Sequence, residues 1–375
     1  MVKATVLPSG DASQVAALLD SPEIARLIGD LDAARWTGRP GYPMRAMVGL
    51  ALVRSVYALP TWTRAVRLVA EHDALRRALG GEAPSVHAAY RFAAKLREHG
   101  DLLTACLDRV LAELRAELPG MGETVCIDGS DMPAWANGQR RVSRNGPLRE
   151  RFSDPDASWG HRSSVSTRSG GGYYGYKIHA AVCATTGLPV AWQVETAKVS
   201  ETVIVAPLLD KLAQQGIVPA HCVMDRGYDT TALYDECERR GIRPVIPLRM
   251  TPAVRARKHR PPTCDHGVWT FAGADAKRQA SKWRCPTGEC SPASVWVKAD
   301  RLHPLIPRGT DRYRSLYRSR GAVERCFGHL KTEWGFLPLR VRRLVRVRLH
   351  TDLTMLARLG SALLAARANA LPLVA

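Results

Sequence analysis

Acidic charge is scarce in this chain of 375 residues: 35 Asp and Glu stand against 54 Lys and Arg, a formal charge of +19. Such an excess points to a polyanionic partner, although an arginine-rich coding bias produces the same excess. No uninterrupted apolar run approaches the roughly 18 residues a membrane-spanning helix needs. The Ala/Leu-rich stretch from Leu353 to Ala366 is broken by Arg358 and reads as an amphipathic or buried helix. No charged-then-apolar leader opens the chain, so the expectation is a cytosolic protein without a membrane segment. A disulfide framework is also missing. The nine cysteines include several in apolar runs such as Val125-Cys126-Ile127 and His221-Cys222-Val223-Met224, which suits buried reduced thiols. At this length two or more domains with a large core are expected.

Residues 1–118 read as helical, with segments at 13–19, 22–27, 44–57, 61–70, 86–95 and 101–118. Turns separate them at Gly38-Arg39-Pro40-Gly41, at Leu59-Pro60 and at residues 80–85, where Ser85 is placed to cap the helix that follows. With Arg64, Arg67, Arg76, Arg77, Arg91, Lys95 and Arg97 close by, this is either a helix-turn-helix module that docks on DNA or a helical bundle with a basic surface.

The β-branched run 123–129 reads as a strand whose last residue is Asp128. Residues 130–172 lack apolar periodicity and carry Arg140, Arg141, Arg144, Arg149, Arg151, Arg162 and Arg168, as a loop that closes over a phosphate backbone or as a disordered one. Segments 173–182 and 188–195 form a hairpin about Thr185-Thr186-Gly187, with Lys177 and His179 on one face, where they would meet DNA or be satisfied locally. A helix at 201–214 follows, then a strand at 221–225 ending on Asp225, a helix at 230–240 and a strand at 243–248. This element order is that of a mixed α/β, RNase H-like core with acids at strand ends. Asp229 is accounted for as a helix N-cap and Asp131 lies past the strand end, which leaves Asp128 and Asp225 as the candidate pair.

Residues 249–312 break the rhythm and read as a small β-rich insertion holding Cys264, His266, Cys285 and Cys290. That set is looser than paired Cys-x2-Cys knuckles: zinc is one reading and buried free thiols the default. Past it, Tyr317, Arg320, Glu324 and Lys331 share a polar helical stripe, while Val323, Phe327, Leu330 and Trp334 follow the spacing of a core face. A solvated charged face and a site for phosphate oxygens and a metal ion both fit the polar stripe. Beyond it, Arg340, Arg342, Arg343, Arg346 and Arg348 interleave with Val341, Leu344, Val345 and Val347 as a basic element along DNA or a solvated surface, before a last helix at 351–368.

The Tyr-x2-Arg-x3-Glu-x6-Lys block resembles that of bacterial DDE insertion-sequence transposases, as do Asp128-Gly129-Ser130 and Asp225-Arg226-Gly227-Tyr228-Asp229 their two aspartate motifs. The resemblance implies catalysis by Asp128, Asp225 and Glu324, separated by 97 (225 minus 128) and 99 (324 minus 225) residues. It also implies phosphate contacts from Tyr317, Arg320 and Lys331. An all-oxygen set selects Mg²⁺ or Mn²⁺, and a pair of such ions would serve both cutting and joining. The expected parts are a helical end-binding domain (1–118), a first catalytic segment (119–248), the insertion (249–312) and a segment with Glu324 and a basic helical end (313–375). The implied partners are double-stranded DNA, as terminal inverted repeats and as target, and a second copy of the chain on that DNA in a bacterial, nucleoid-associated setting. A non-catalytic DNA-binding regulator and an RNase H-like nuclease without strand transfer remain as alternatives.

Overall fold

The computed structural model describes residues 12–34, 41–162, 169–257 and 260–369; the expected turn at residues 38–40 and Arg168 lie outside the described residues. The N-terminal part is a layer of helices: α1 (Ala12–Asp20), α2 (Pro22–Ala33), α3 (Met44–Val56), α4 (Trp62–Glu71), α5 (Asp73–Ala78), α6 (Val86–Glu98) and α7 (Gly100–Glu117). Helix α3 is buried at every position from Ala46 to Val56, so it forms the middle of the layer rather than its surface. Thr61 and Ser85 accept the backbone N–H three residues on, at 3.3 and 3.2 Å, and so start α4 and α6. The short α5 buries only Leu75 and has too little apolar pattern to be legible in the sequence.

The central sheet contains β1 (Thr124–Pro133), β2 (Ser158–Arg162), β3 (Gly171–Cys183), β4 (Pro189–Thr196), then, after α8 (Glu201–Gln214), β5 (His221–Met224), and, after α9 (Thr231–Arg239), β6 (Arg243–Val245). Its strand order is β2-β3-β1-β5-β6, with β4 also on β3. β1 runs antiparallel to β3 and parallel to β5, which is parallel to β6. Four strands paired antiparallel, β1 to β4, followed by two parallel ones, β5 and β6, make the mixed α/β, RNase H-like core that the element order implied.

β1 does not end at Asp128. It pairs with β3 from Val125↔Cys183 to Pro133↔Gly175, which extends the strand five residues beyond that acid. Gly175 permits the close approach: a Cβ there would lie 2.3 Å from the Met132 carbonyl oxygen. β6 stops at Val245 instead of residue 248. The long arginine-rich segment between β1 and β3 is fastened at Asp154. Asp154, fully buried, accepts from the Tyr176 hydroxyl at 2.7 Å and from the Arg343 backbone N–H at 3.0 Å.

Past the sheet come α10 (Pro252–Arg255) and the insertion strands β7 (Thr263–Cys264), β8 (Gly267–Val268), β9 (Thr270–Asp275), β10 (Ala280–Arg284) and β11 (Ser294–Lys298). The chain finishes with α11 (Asp311–Arg318), α12 (Gly321–Glu333) and α13 (Leu344–Arg367). α13 begins seven residues earlier than expected and packs on α7, α3 and β4, so one apolar core runs from α1 to α13. The insertion keeps a separate, much smaller cluster of Trp269, Trp283 and Cys285.

Candidate active site

Asp128 and Asp225 lie on adjacent parallel strands. The β1/β5 register ends at Ile127↔Met224, and each acid is the next residue of its strand or strand end. Neighbouring strands run about 4.8 Å apart, so the carboxylates are held as close neighbours by the sheet itself. Asp128 accepts from the Gly129 N–H at 2.8 Å, and Asp225 accepts from the Gly227 N–H at 2.7 Å in the 3₁₀ turn Arg226–Tyr228.

Glu324 arrives from the far side of the chain. The stretch from Tyr317 to Lys331 is not one helix but two, α11 and α12. Between them Arg320 N, Ala322 N and Val323 N bond back to the carbonyls of Tyr317, Ser319 and Arg320, a tighter i to i−3 turn. The Ser319 carbonyl also accepts from the Cys126 thiol on β1, at 3.2 Å. The core stripe is as expected: Val323, Phe327, Leu330 and Trp334 are all buried, and α12 packs on β1 and β3.

Arg320 joins the acids. Its Nη1 donates to Asp128 Oδ2 at 2.9 Å, and its Nη2 donates to Glu324 Oε1 in a very close contact. Lys331 Nζ donates to Ser130 Oγ at 2.8 Å, just past Asp128 on β1. Tyr317 stacks on Tyr313 with ring centroids 5.9 Å apart. Burial pushes the Asp128 carboxyl up to about 7; the Gly129 N–H and Arg320 oppose that rise, and the neighbouring charges of Asp225 and Glu201 add to it. The structure thus brings Asp128, Asp225, Arg320 and Glu324 together around one end of the β1/β5 pair, with Lys331 beside them.

One further acid differs from expectation. Asp229 is not the cap of α9, a position held by Thr230; it is buried, accepts from Arg249 N at 2.7 Å, and takes a two-pronged contact from Arg301 at 3.1 and 2.7 Å. Of the two readings for Lys177 and His179, which share a face, Lys177 follows the local one. Lys177 Nζ donates to Glu201 Oε1 at 2.7 Å, and His179 is buried with its imidazole pushed down to about 4 by burial and by Lys177. Glu201 therefore belongs to the acidic neighbourhood, with its Oε1 3.2 Å from where a Cβ on Gly129 would stand. In the sequence it is only the first residue of a helix, and nothing in its local pattern distinguishes it from a dipole-stabilising acid.

An RNase H-like sheet with carboxylates on its two central parallel strands, and a further acid from a late helix, defines a DDE-type core. The chain belongs to the transposase DDE domain family, whose model matches residues 119–359, and is thereby a transposase. A solved structure with which it aligns is that of the piggyBac transposase synaptic complex with hairpin DNA, at 13% identity and a TM-score of 0.42, covering 96% of this chain and 75% of that one. Comparison with curated proteins gives no match. Among the described residues no helix is long and apolar enough to cross a membrane.

Proposed function

We propose that this transposase cuts phosphodiester bonds at the ends of its element and joins the freed 3′-hydroxyls to target DNA, with Asp128, Asp225 and Glu324 holding Mg²⁺ or Mn²⁺. The observation that carries this is the placement of Asp128 beside Asp225 on parallel strands, with Glu324 connected to them through Arg320. The donor set fits a hard divalent ion. It is all oxygen, Asp128 is buried enough to resist ionisation, with Asp225 and Glu201 adding to the effect, and a guanidinium already bridges two of its members. When bound, such ions activate the attacking water or 3′-hydroxyl and stabilise the leaving oxygen.

The chain's own residues do the rest. The Gly129 and Gly227 N–H groups orient one oxygen of each aspartate, and Arg320 holds the second oxygen of Asp128. Arg320, held between Asp128 and Glu324, would clamp a phosphate oxygen, a task for which its planar fork suits it better than a lysine. Lys331 adds charge along the same strand, and Tyr317 a hydroxyl.

The DNA would follow a cationic cleft of about 330 Å³ whose lining includes Trp62, Tyr90, Arg97, Trp135 and Arg346. There the Arg342 guanidinium lies 4.6 Å from the centre of the half-exposed Trp135 ring, a pairing of cation and aromatic suited to phosphates and unstacked bases. Exposed Arg64 and Arg67 on α4 and Arg91 on α6 extend that surface across the helical layer as the end-binding face. Two copies would bridge two ends.

The test is an incubation of the purified chain with labelled element ends, a target plasmid and Mg²⁺. Nicks and joined products are expected, both absent from Asp128→Asn, Asp225→Asn and Glu324→Gln proteins that still bind the ends. Cutting without joining would replace the reading with a nuclease, and binding without cutting with a regulator.

A further inference from the structure

The insertion between β6 and α11 carries a second cluster that the chemistry above does not use. The β7–β8 hairpin presents Cys264 and His266, and the connection from β10 to β11 presents Cys285 and Cys290. Their four ligand atoms lie within 4.8 Å of one another. Cys264 Sγ is 3.8 Å from Cys285 Sγ, and His266 Nδ1 is 3.5 Å from Cys285 Sγ and 3.6 Å from Cys290 Sγ.

These separations discriminate between the uses of such a cluster. A disulfide would bring two sulfurs to about 2.05 Å. A tetrahedral zinc ion, with bonds of about 2.3 Å to sulfur and about 2.05 Å to nitrogen, sets sulfur–sulfur edges of roughly 3.8 Å and sulfur–nitrogen edges of roughly 3.6 Å. The three measured edges match the second case. His266 Nε2, the nitrogen turned away from the sulfurs, faces Glu289 Oε2 at 3.2 Å, the carboxylate partner that commonly fixes the ring of a ligating histidine.

We infer that Cys264, His266, Cys285 and Cys290 form a structural Zn²⁺ site that ties the β7–β8 hairpin to the β10–β11 connection. Binding displaces the three thiol protons and uses the imidazole in its neutral, Nε2-protonated form. The insertion has reason to need it. Its buried cluster is limited to Trp269, Trp283 and Cys285, too little apolar surface to order five short strands. Its exit segment is also bound to the catalytic sheet, through Arg301 on Asp229 and Arg308 Nε on the Ile246 carbonyl at 2.9 Å, so an ordered insertion helps hold the loop that follows Asp225.

The test measures zinc in the full chain after exhaustive desalting, by mass spectrometry of the metal and by its release to a chromophoric chelator as a mercurial titrates the thiols. One equivalent per chain is expected. Cys285→Ser and Cys290→Ser should each lose it, whereas Cys237→Ser, which alters a buried thiol on α9, should keep it. As a readout independent of the folding of those variants, cobalt exchanged into the wild-type chain should give tetrahedral d–d bands and a thiolate charge-transfer band. Wild-type protein free of zinc, without that cobalt spectrum and with these cysteines alkylated as fast as free thiols, would overturn the proposal.

Discussion

The sheet centre and the insertion invite comparison, because each gathers charged or soft ligands and they do so by opposite means. At the sheet centre, Asp128 and Asp225 are positioned by strand pairing within the large apolar core. In the insertion the apolar cluster is minimal, and the ligand atoms come from hairpins that little else holds in place. Hard oxygens on a preformed core suit an ion that must exchange and act on substrate; soft donors on a weak core suit an ion that is part of the fold. Chelation should therefore separate the two. Removing Mg²⁺ should stop cleavage reversibly and leave proteolytic resistance unchanged, whereas stripping zinc should open residues 249–312 to protease.

The comparison breaks most sharply at Asp128. Asp128→Asn should lower cleavage about 10³-fold. It should also stabilise the fold at pH 8, because the folded state holds the Asp128 proton up to about 7 while the unfolded chain releases it near 4. Wild-type stability thus falls as pH climbs through that window. The variant's advantage, on the order of 1–2 kcal/mol given partial solvent screening, should be largest above pH 7 and vanish below about pH 4. Thermal unfolding across that range checks it.

Asp229→Asn tests the opposite kind of acid. It is buried against Arg301 and the Arg249 backbone, so its loss should cost about 3 kcal/mol of stability, as for one partner of a buried pair, with a much smaller fall in cleavage per folded molecule than at Asp128. Arg320→Ala removes the bridge between Asp128 and Glu324. Cleavage should drop about 10²-fold, with the pH at half-maximal rate moved upward, since Asp128 would lose the cation that favours its charged form. The smallest effect is expected at Lys331→Ala. Binding of DNA should weaken by about 1 kcal/mol, with the salt dependence shallower by roughly one charge, read by titration at several ionic strengths.

What could be read from the sequence follows the range of the forces involved. The apolar face of α12, the acids beside β-branched runs and the Ser85 cap are local patterns, and the fold keeps them. Features made by distant partners were not legible. β1 continues past Asp128 because β3 pairs with it, and at the break between α11 and α12 the Ser319 carbonyl accepts from the Cys126 thiol on a distant strand. Asp229 looked like a cap until Arg301, 72 residues away, claimed it. Lys177 and Glu201 find each other across the end of β3, and neither one's neighbours in sequence foretell it. The cysteine and histidine spacing was too loose for a knuckle because two separate turns, not one, assemble the cluster.

Divalent-ion binding tests the central assignment most directly. Free Mn²⁺, followed by electron paramagnetic resonance, would be titrated with the zinc-loaded full chain and with Asp128→Asn, Asp225→Asn, Glu324→Gln and Cys237→Ser proteins. The expected result is that each carboxylate variant binds at least about tenfold more weakly than wild type, while Cys237→Ser binds as wild type does. Wild-type affinity in all three carboxylate variants would contradict the account.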